Sequence, residues 1–317
     1  MQVDLAEAVA LLKRGEVVAI PTETVYGLAA DAQNERALQE IYALKERPAS
    51  NPLIVHLATS DQVLDWAVAF PPLAQKLATA FWPGPFTIVL PAKETVSNIV
   101  RAGEPTVALR VPAHTTTQQV LKDSGLALAA PSANKYTQLS PTTAQHVADG
   151  LGEHVPVLDG GACQVGIEST IVAVEGRHWR LLRLGMITEA EIESVAGMPA
   201  LPSANENETL PKVPGQHLLH YSPKTPVQLF SSREALMQSV ETEGSCAALL
   251  LGDGHIGNNV QTFNLPNNPI GMAERLYDTL HQMDALDVAK LLIELPPNQP
   301  EWLAIHDRLS RASHKLN

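Results

Sequence analysis

A proline-rich segment over residues 197–215 constrains the fold more than any other feature of this sequence. It reads GMPALPSANENETLPKVPG, holds four prolines and lacks an apolar period. Such a composition is typical of a linker, because proline can neither continue a helix nor donate a sheet hydrogen bond. A single hydrophobic core seldom grows beyond about 250 to 300 residues, and this chain has 317. The sequence therefore predicts two domains, 1–196 and 225–317, joined by a linker over 197–224.

The first predicted domain mixes short apolar strands with helices. Asp4 can cap a helix that Gly15 ends, and a second helix is predicted over 34–46. Short apolar runs predict strands over 17–20, 53–57, 86–90, 107–111, 126–130 and 170–174. Many short strands among helices indicate an α/β domain built on a twisted, mixed sheet.

The second predicted domain is more regular. Predicted strands over 227–230, 247–251, 260–263 and 289–293 alternate with helices that begin at Ser232, Pro269 and Pro300. This alternation predicts a small Rossmann-like parallel sheet. Gly252, Gly254 and Gly257 also spell G-x-G-x-x-G, but a strand-like segment follows them where a dinucleotide site needs a helix. We therefore expect a surface turn at these glycines and no NAD.

Charge and cysteine usage argue against several classes of protein. The net charge is −12, divided as −7 over 1–200 and −5 over 201–317, whereas proteins that grip nucleic acid by bulk electrostatics carry a basic surface. Cys163 and Cys246 match no zinc spacing. No stretch approaches the roughly 20 apolar residues that cross a bilayer, and the N-terminus lacks a signal-peptide pattern. We expect a cytoplasmic protein without a membrane partner.

Polar side chains collect in three clusters at the ends of predicted strands, where open α/β sheets place ligands. The clusters are PTETVYGL over 21–28, LKERP over 44–48 with Asn51 and His56, and APSAN over 130–134 with SPT over 140–142. Taken singly, they have simpler interpretations as a polar turn, cations at a helix C-terminus or a core histidine.

The residue types in these clusters suit ligand binding. Lys45 and Arg47 could hold a polyphosphate, and Arg110 in its predicted strand needs a partner carboxylate. The sequence contains no Ser/His/Asp triad, paired carboxylates or metal-ligand cluster. The expected chemistry is therefore binding and electrostatics, without a covalent nucleophile.

Several motifs follow one another in a fixed order between residues 21 and 172. They are PTETVYGLAADA, IYALKERPASNPLIVHL, FWPGPFTIVL, VALRVPAH, APSAN followed by SPT, and GIESTIV. In this order they resemble the YrdC-like domain of threonylcarbamoyl-AMP synthases. The segment QHLLHYSP over 216–223, followed by a small α/β domain, resembles the long two-domain form of that family.

The resemblance implies a nucleotidyltransferase. Members of the family join L-threonine, bicarbonate or CO2, and ATP into L-threonylcarbamoyl-AMP and release pyrophosphate. This is the first step of the N6-threonylcarbamoyladenosine modification of tRNA, and a separate threonylcarbamoyl transferase complex takes the product onward. Transfer RNA would thus be an indirect partner. Mg²⁺ would accompany ATP, and zinc is not expected.

The resemblance also assigns residues to the two substrates. Those implied to bind ATP are Lys45, Arg47, Asn51, Thr106, Ser132, Asn134, Ser140, Arg183 and Tyr221, with Lys45 and Arg47 also catalytic. Those implied to bind L-threonine are Thr24, His56, Arg110, Ala130 and Ser169. Tyr221 would reach back over the nucleotide, so residues 197–223 would form a lid.

Two other functions remain open at this stage. One is a module that binds double-stranded RNA or tRNA on a basic concave face, which the acidic first domain disfavours. The other is carbamoyl transfer from carbamoyl phosphate, which would be accompanied by zinc-finger cysteines that this sequence lacks.

Overall fold

The computed structural model describes residues 1–202, 210–215, 221–242, 244–257 and 260–313. Within these ranges the chain forms a ten-stranded mixed sheet and, after it, a four-stranded parallel sheet. The predicted fold, a twisted mixed-sheet α/β domain followed by a smaller parallel α/β domain, is confirmed. The domain boundaries stay predictions, and part of the linker motif, residues 216–220, lies outside the described residues.

The elements are as follows. The strands of the large sheet are β1 (Gln2–Val3), β2 (Val18–Ile20), β3 (Gly27–Asp31), β4 (Ile54–His56), β5 (Phe86–Pro91), β6 (Thr106–Arg110), β7 (Leu128–Ala129), β8 (Val157–Leu158), β9 (Thr170–Glu175) and β10 (His178–Arg183). Those of the small sheet are β11 (Val227–Phe230), β12 (Cys246–Leu251), β13 (Gln261–Leu265) and β14 (Lys290–Glu294). The α-helices are α1 (Leu5–Lys13), α2 (Glu35–Lys45), α3 (Val63–Trp66), α4 (Pro72–Phe81), α5 (Asn98–Arg101), α6 (Thr115–Ser124), α7 (Ala144–Leu151), α8 (Glu189–Ala196), α9 (Arg233–Thr242), α10 (Pro269–Asp284) and α11 (Leu303–Ser313), and two short 3₁₀ turns are also present, at Ser60–Gln62 and Pro300–Trp302.

Strand ends from four neighbouring strands meet at one edge of the large sheet. Its order is β1-β8-β2-β3-β7-β4-β6-β5-β9-β10. The parallel strands β4 and β6 end together, with His56 paired to Arg110. Strand β5 runs antiparallel to β6 and parallel to β9, with Phe86 paired to Thr170. Two strands therefore end, and two begin, at the same place.

Local sequence rules place the second polar cluster at this edge. The Asn34 side chain caps α2 by accepting a hydrogen bond from the Ala37 backbone N–H at 3.2 Å. The helix ends where Glu46 adopts a left-handed conformation with φ 52°. Lys45 is thus the last helical residue, and Arg47 follows the turn directly.

The first polar cluster directly follows a strand, as predicted, and it leads into a further strand that the sequence did not indicate. Residues 21–26 connect the antiparallel strands β2 and β3, in which Ile20 pairs with Gly27. Sequence reasoning missed β3, because GLAAD is short and has neither alternation nor a bulky apolar run. Strand β10 was also missed, because the buried Arg180 and Arg183 interrupt its apolar pattern.

The small sheet agrees closely with its prediction. Its order is β11-β14-β12-β13, and each of its three pairings is parallel. At the glycine-rich segment, Gly252 and Gly257 have positive φ and β13 follows, which confirms the predicted turn. The core of this sheet also takes in Val25, Leu139 and Ile167 from the first part of the chain. In the described ranges, the helices are too short or too polar to span a bilayer.

Candidate active site

Backbone hydrogen bonds bring the three polar clusters together. The Tyr26 N–H donates to the Pro141 carbonyl at 2.8 Å, and the Ala133 N–H donates to the Tyr26 carbonyl at 2.8 Å. The Tyr136 N–H donates to the Lys45 carbonyl at 2.7 Å, which attaches the end of α2 to the same assembly. The three clusters, although far apart in sequence, thus form one continuous surface, which we call the wall of the site.

This wall surrounds a cavity at the edge where the four strands meet. The lining residues are Thr22, Thr24, Val25, Gly27, Arg47, Ile54, His56, Arg110, Ala130, Pro131, Ser132, Glu168, Ser169, Arg183, Pro214 and Tyr221. All five residues assigned to L-threonine by the resemblance are among them. So are four of those assigned to ATP, namely Arg47, Ser132, Arg183 and Tyr221.

The other five residues assigned to ATP lie off the lining. Lys45, Asn134 and Ser140 form hydrogen bonds within the wall. The backbone carbonyl of Asn51 accepts from the Tyr42 hydroxyl at 2.8 Å. Thr106 begins β6, at the opposite end of that strand from Arg110. The structure does not bring Asn51 and Thr106 to the cavity, and their roles stay predictions.

Lys45 connects the second and third clusters. It is 1% exposed, and its amine donates to the backbone carbonyls of Ser132 and Asn134, the latter at 2.6 Å. Burial, aided by the nearby charge of Arg47, lowers the pKa of Lys45 well below its usual range. Lys45 therefore holds the loop over 132–134 in position behind the cavity.

Arg47 has one buried donor that no described residue engages. Its Nη2 donates to the Pro52 carbonyl at 3.0 Å, while its buried Nε has no hydrogen-bond partner among the described residues. The buried Oδ1 of Asn134 also has none within that part of the chain. Because a buried unpaired polar group costs free energy, such groups indicate a place for a polar ligand.

Arg110 has the partner carboxylate that its burial requires. Its Nη2 lies 2.7 Å from Glu23 Oε1, its Nη1 donates to Thr24 Oγ1 at 3.0 Å, and its Nε donates to the Gly84 carbonyl at 3.1 Å. Burial raises the pKa of Glu23, but the charge and hydrogen bond of Arg110 outweigh this effect and leave the pKa lowered. Sequence reasoning missed Glu23, although the need for a carboxylate near Arg110 could have pointed to it.

Glu168 connects the cavity to the second sheet domain. Its Oε1 accepts from Ser140 Oγ at 2.6 Å, and its Oε2 accepts from Arg308 Nε at 2.8 Å and Tyr277 Oη at 3.2 Å. The Arg308 guanidinium also lies 5.0 Å from the centre of the Tyr221 ring. Nothing in the sequence pairs Glu168 with α10 and α11, so sequence reasoning missed this network.

The buried His56 predicts a loss of stability in acid. Burial and the charge of Arg110 lower the pKa of His56 from 6.5 to about 3. Below pH 6.5 the unfolded chain therefore binds a proton that the folded chain does not, and stability falls as the pH falls. This contribution amounts to about 2–3 kcal/mol between about pH 7.5 and 4.5.

Urea unfolding at the two pH values measures this loss. The matched variant is His56→Asn, because its amide does not titrate and can still donate to the Ile54 carbonyl that His56 Nδ1 contacts at 3.2 Å. We expect the variant to lose less stability than the wild type over this range. An equal loss in both proteins would show that the pKa of His56 is not lowered in the folded protein.

In comparison with known proteins, two families match successive parts of the chain. The family described as "Telomere recombination" matches residues 10–185, and the one described as "Threonylcarbamoyl-AMP synthase, C-terminal domain" matches residues 187–314. The threonylcarbamoyl-AMP synthase of Bacillus subtilis is 38% identical, covering 98% of this chain and 92% of that protein. The Pyrococcus abyssi synthase is 36% identical, covering 96% and 93%.

A solved structure agrees over the same extent. The structure of Pyrococcus abyssi Sua5 complexed with L-threonine superposes with a TM-score of 0.88 at 34% identity, covering 98% of this chain and 94% of that one. These synthases match this chain over nearly its whole length, and that length includes both sheets. This chain belongs to the threonylcarbamoyl-AMP synthase family.

Proposed function

We propose that this chain makes L-threonylcarbamoyl-AMP from L-threonine, bicarbonate or CO2, and ATP, and releases pyrophosphate. The observation that carries the proposal is one cavity that all five residues assigned to threonine share with Arg47, Ser132, Arg183 and Tyr221. In this reaction the threonine amine attacks CO2, and the resulting carbamate attacks the α-phosphate of ATP. Because a carbamate is labile in water, both substrates must meet in one sheltered site.

The cations in the wall suit the phosphate half of the reaction. Nucleotidyl transfer depends mainly on positioning and on neutralising charge at the phosphates. Arg47 lines the cavity, and its Nε has no partner in the described part of the chain, while Lys45 lies behind the wall with one N–H beyond its two carbonyl contacts. The lining carboxylate, Glu168, is already engaged by Ser140, Tyr277 and Arg308. Mg²⁺ would therefore be held mainly by the phosphates of ATP.

Arg110 is assigned to the α-carboxylate of threonine. Its Nε and Nη1 donate to Gly84 and Thr24, its Nη2 lies within ion-pair distance of Glu23, and the side chain lines the cavity. Arg110→Ala is expected to raise the threonine KM about tenfold or more while changing the ATP KM far less. Steady-state kinetics with each substrate varied in turn measures this, and an unchanged threonine KM would remove Arg110 from the site.

We also propose that the linker closes the nucleotide end of the site. Tyr221 is 1% exposed and lines the cavity, and Gly215 lies against its hydroxyl with φ +88°. A methyl group in Gly215→Ala would collide with Tyr221 and lie 3.2 Å from Arg183 Cδ. We expect this displacement of Tyr221 to raise the ATP KM about tenfold, because the loss of one hydrogen bond to a ligand weakens binding by about that factor.

Gly103→Ala is the matched control for the linker. Gly103 has a similar φ of +79°, but a methyl group there meets no atom of the described residues within 4 Å. This variant bears the same backbone strain and should keep the wild-type ATP KM. The lid proposal is wrong if the two variants show the same KM.

The activity itself is tested by pyrophosphate release from ATP and Mg²⁺, with L-threonine and bicarbonate each supplied or omitted. Release that requires both substrates is the expected result. Release that ignores threonine would indicate a different acceptor, and no release from folded protein would contradict the proposal. The labile product would then pass, in the cytoplasm, to a separate transferase complex that modifies tRNA.

A further inference from the structure

The hydroxyl of Thr87 contacts the cavity wall from within the sheet. Thr87 is the second residue of β5, is fully buried, and pairs with Ile171 of β9. Its Oγ1 lies 2.8 Å from the Oγ of Ser169, which lines the cavity. Thr87 does not line the cavity itself, so any effect on a ligand passes through Ser169.

The protons around Ser169 Oγ can be assigned from its neighbours. Arg183 Nη2 lies 3.0 Å away and can only donate, since a guanidinium has no acceptor. Among the described residues, the Thr87 hydroxyl has no other hydrogen-bond partner. If Ser169 donated to Thr87, the Thr87 proton would be buried without an acceptor, which is unfavourable. The stable arrangement therefore has Thr87 donating to Ser169.

A serine hydroxyl has two acceptor positions and one proton. Thr87 and Arg183 fill both acceptor positions of Ser169 Oγ. The Ser169 proton is then the only part of this hydroxyl that can still form a hydrogen bond, and it is directed to the cavity. Arg183 is itself fixed, because its Nε donates to the Ser169 carbonyl at 3.0 Å and its Nη1 to the Pro214 carbonyl at 3.1 Å. Ser169 is thus set to meet an acceptor such as a carboxylate oxygen, and it cannot accept from an ammonium group.

We propose that Thr87 is a positioning residue that commits the Ser169 hydroxyl to donate a hydrogen bond to the carboxylate of the amino-acid substrate. The identity of that amino acid as L-threonine rests on the proposed function. Without the Thr87 hydroxyl, Ser169 regains a free acceptor position, and its proton is no longer directed to the substrate.

The test uses the full-length protein and the variants Thr87→Val and Thr87→Ser. Valine keeps the size of threonine and removes the hydroxyl, whereas serine keeps the hydroxyl. We expect Thr87→Val to weaken L-threonine binding about tenfold in calorimetric titration, as for one lost hydrogen bond, and to leave the ATP KM within about twofold. Thr87→Ser should restore binding to within about threefold of the wild type.

Two controls separate positioning from general destabilisation. Thr279→Val removes another buried threonine hydroxyl, in α10, and should not change L-threonine binding. In a Ser169→Ala background, Thr87→Val should add no further loss, because its effect acts through Ser169. Thermal unfolding confirms that each variant is folded.

The outcomes are distinguishable. Unchanged L-threonine binding in folded Thr87→Val, or a full additional loss in the Ser169→Ala background, would overturn the proposal. Equal weakening of L-threonine and ATP without rescue by Thr87→Ser would also overturn it, since that pattern indicates a purely structural role. If the wild type binds L-threonine but releases no threonine-dependent pyrophosphate, the proposed function fails while the binding titrations still decide the role of Thr87.

Discussion

Replacing Arg47 with alanine is expected to lower turnover about a hundredfold or more, because a contact to phosphate in the transition state is worth ~3 kcal/mol. Arg47 lines the cavity, and its buried Nε lacks a partner among the described residues. Removing the side chain therefore costs the described part of the protein one hydrogen bond, to the Pro52 carbonyl, while the reaction loses a cation. Pyrophosphate release at saturating ATP and L-threonine measures the effect.

Two further variants define the role of Arg47. Arg47→Lys keeps a positive charge and loses the planar fork, so it should recover part of the lost rate. Arg36→Ala removes an exposed arginine from the same helix, α2, and should leave turnover at the wild-type level. If Arg47→Ala keeps half of the wild-type rate, Arg47 is not part of the catalytic machinery.

Replacing Arg308 with methionine is expected to lower the free energy of unfolding by about 3–5 kcal/mol, because it leaves a buried carboxylate without its cation. Arg308 is 1% exposed and donates both to Glu168 at 2.8 Å and to the Leu184 carbonyl at 2.9 Å. Glu168 in turn holds Ser140, so the variant should also lose turnover. Urea unfolding and pyrophosphate release measure the two effects separately.

The partner and the neighbour of Arg308 supply the controls. Glu168→Gln in the Arg308→Met background removes the unpaired charge and should recover much of the lost stability. Arg311→Met, one turn further along α11, removes an arginine whose ion pair with Asp307 is partly exposed, and should cost under about 1 kcal/mol. Equal losses in Arg308→Met and Arg311→Met would show that Glu168 does not depend on Arg308.

The sequence predicted the structure correctly where a rule acts over a few neighbouring residues, as at the start of a helix. The Asp4 side chain accepts from the Glu7 N–H at 2.8 Å and begins α1 as its residue type predicts. Asn34 begins α2, whose end sets the positions of Lys45 and Arg47. The motif order indicated the family, and nine of the fourteen residues assigned through that resemblance line the cavity. All of these inferences depend on local backbone preferences or on motif identity, which the sequence carries directly.

Contacts between distant segments were decided only by the tertiary structure. The starts of β5 and β9 lie beside the ends of β4 and β6, which places Thr87 against Ser169. Glu23 pairs with Arg110, and Glu168 reaches Arg308 across 140 positions of sequence. Strand order and pairing across domains follow from which surfaces become buried together, and this depends on the whole chain rather than on any short window of it. The sequence alone could therefore indicate many of the residues that line the cavity, while the partners that hold those residues became visible only in the folded protein.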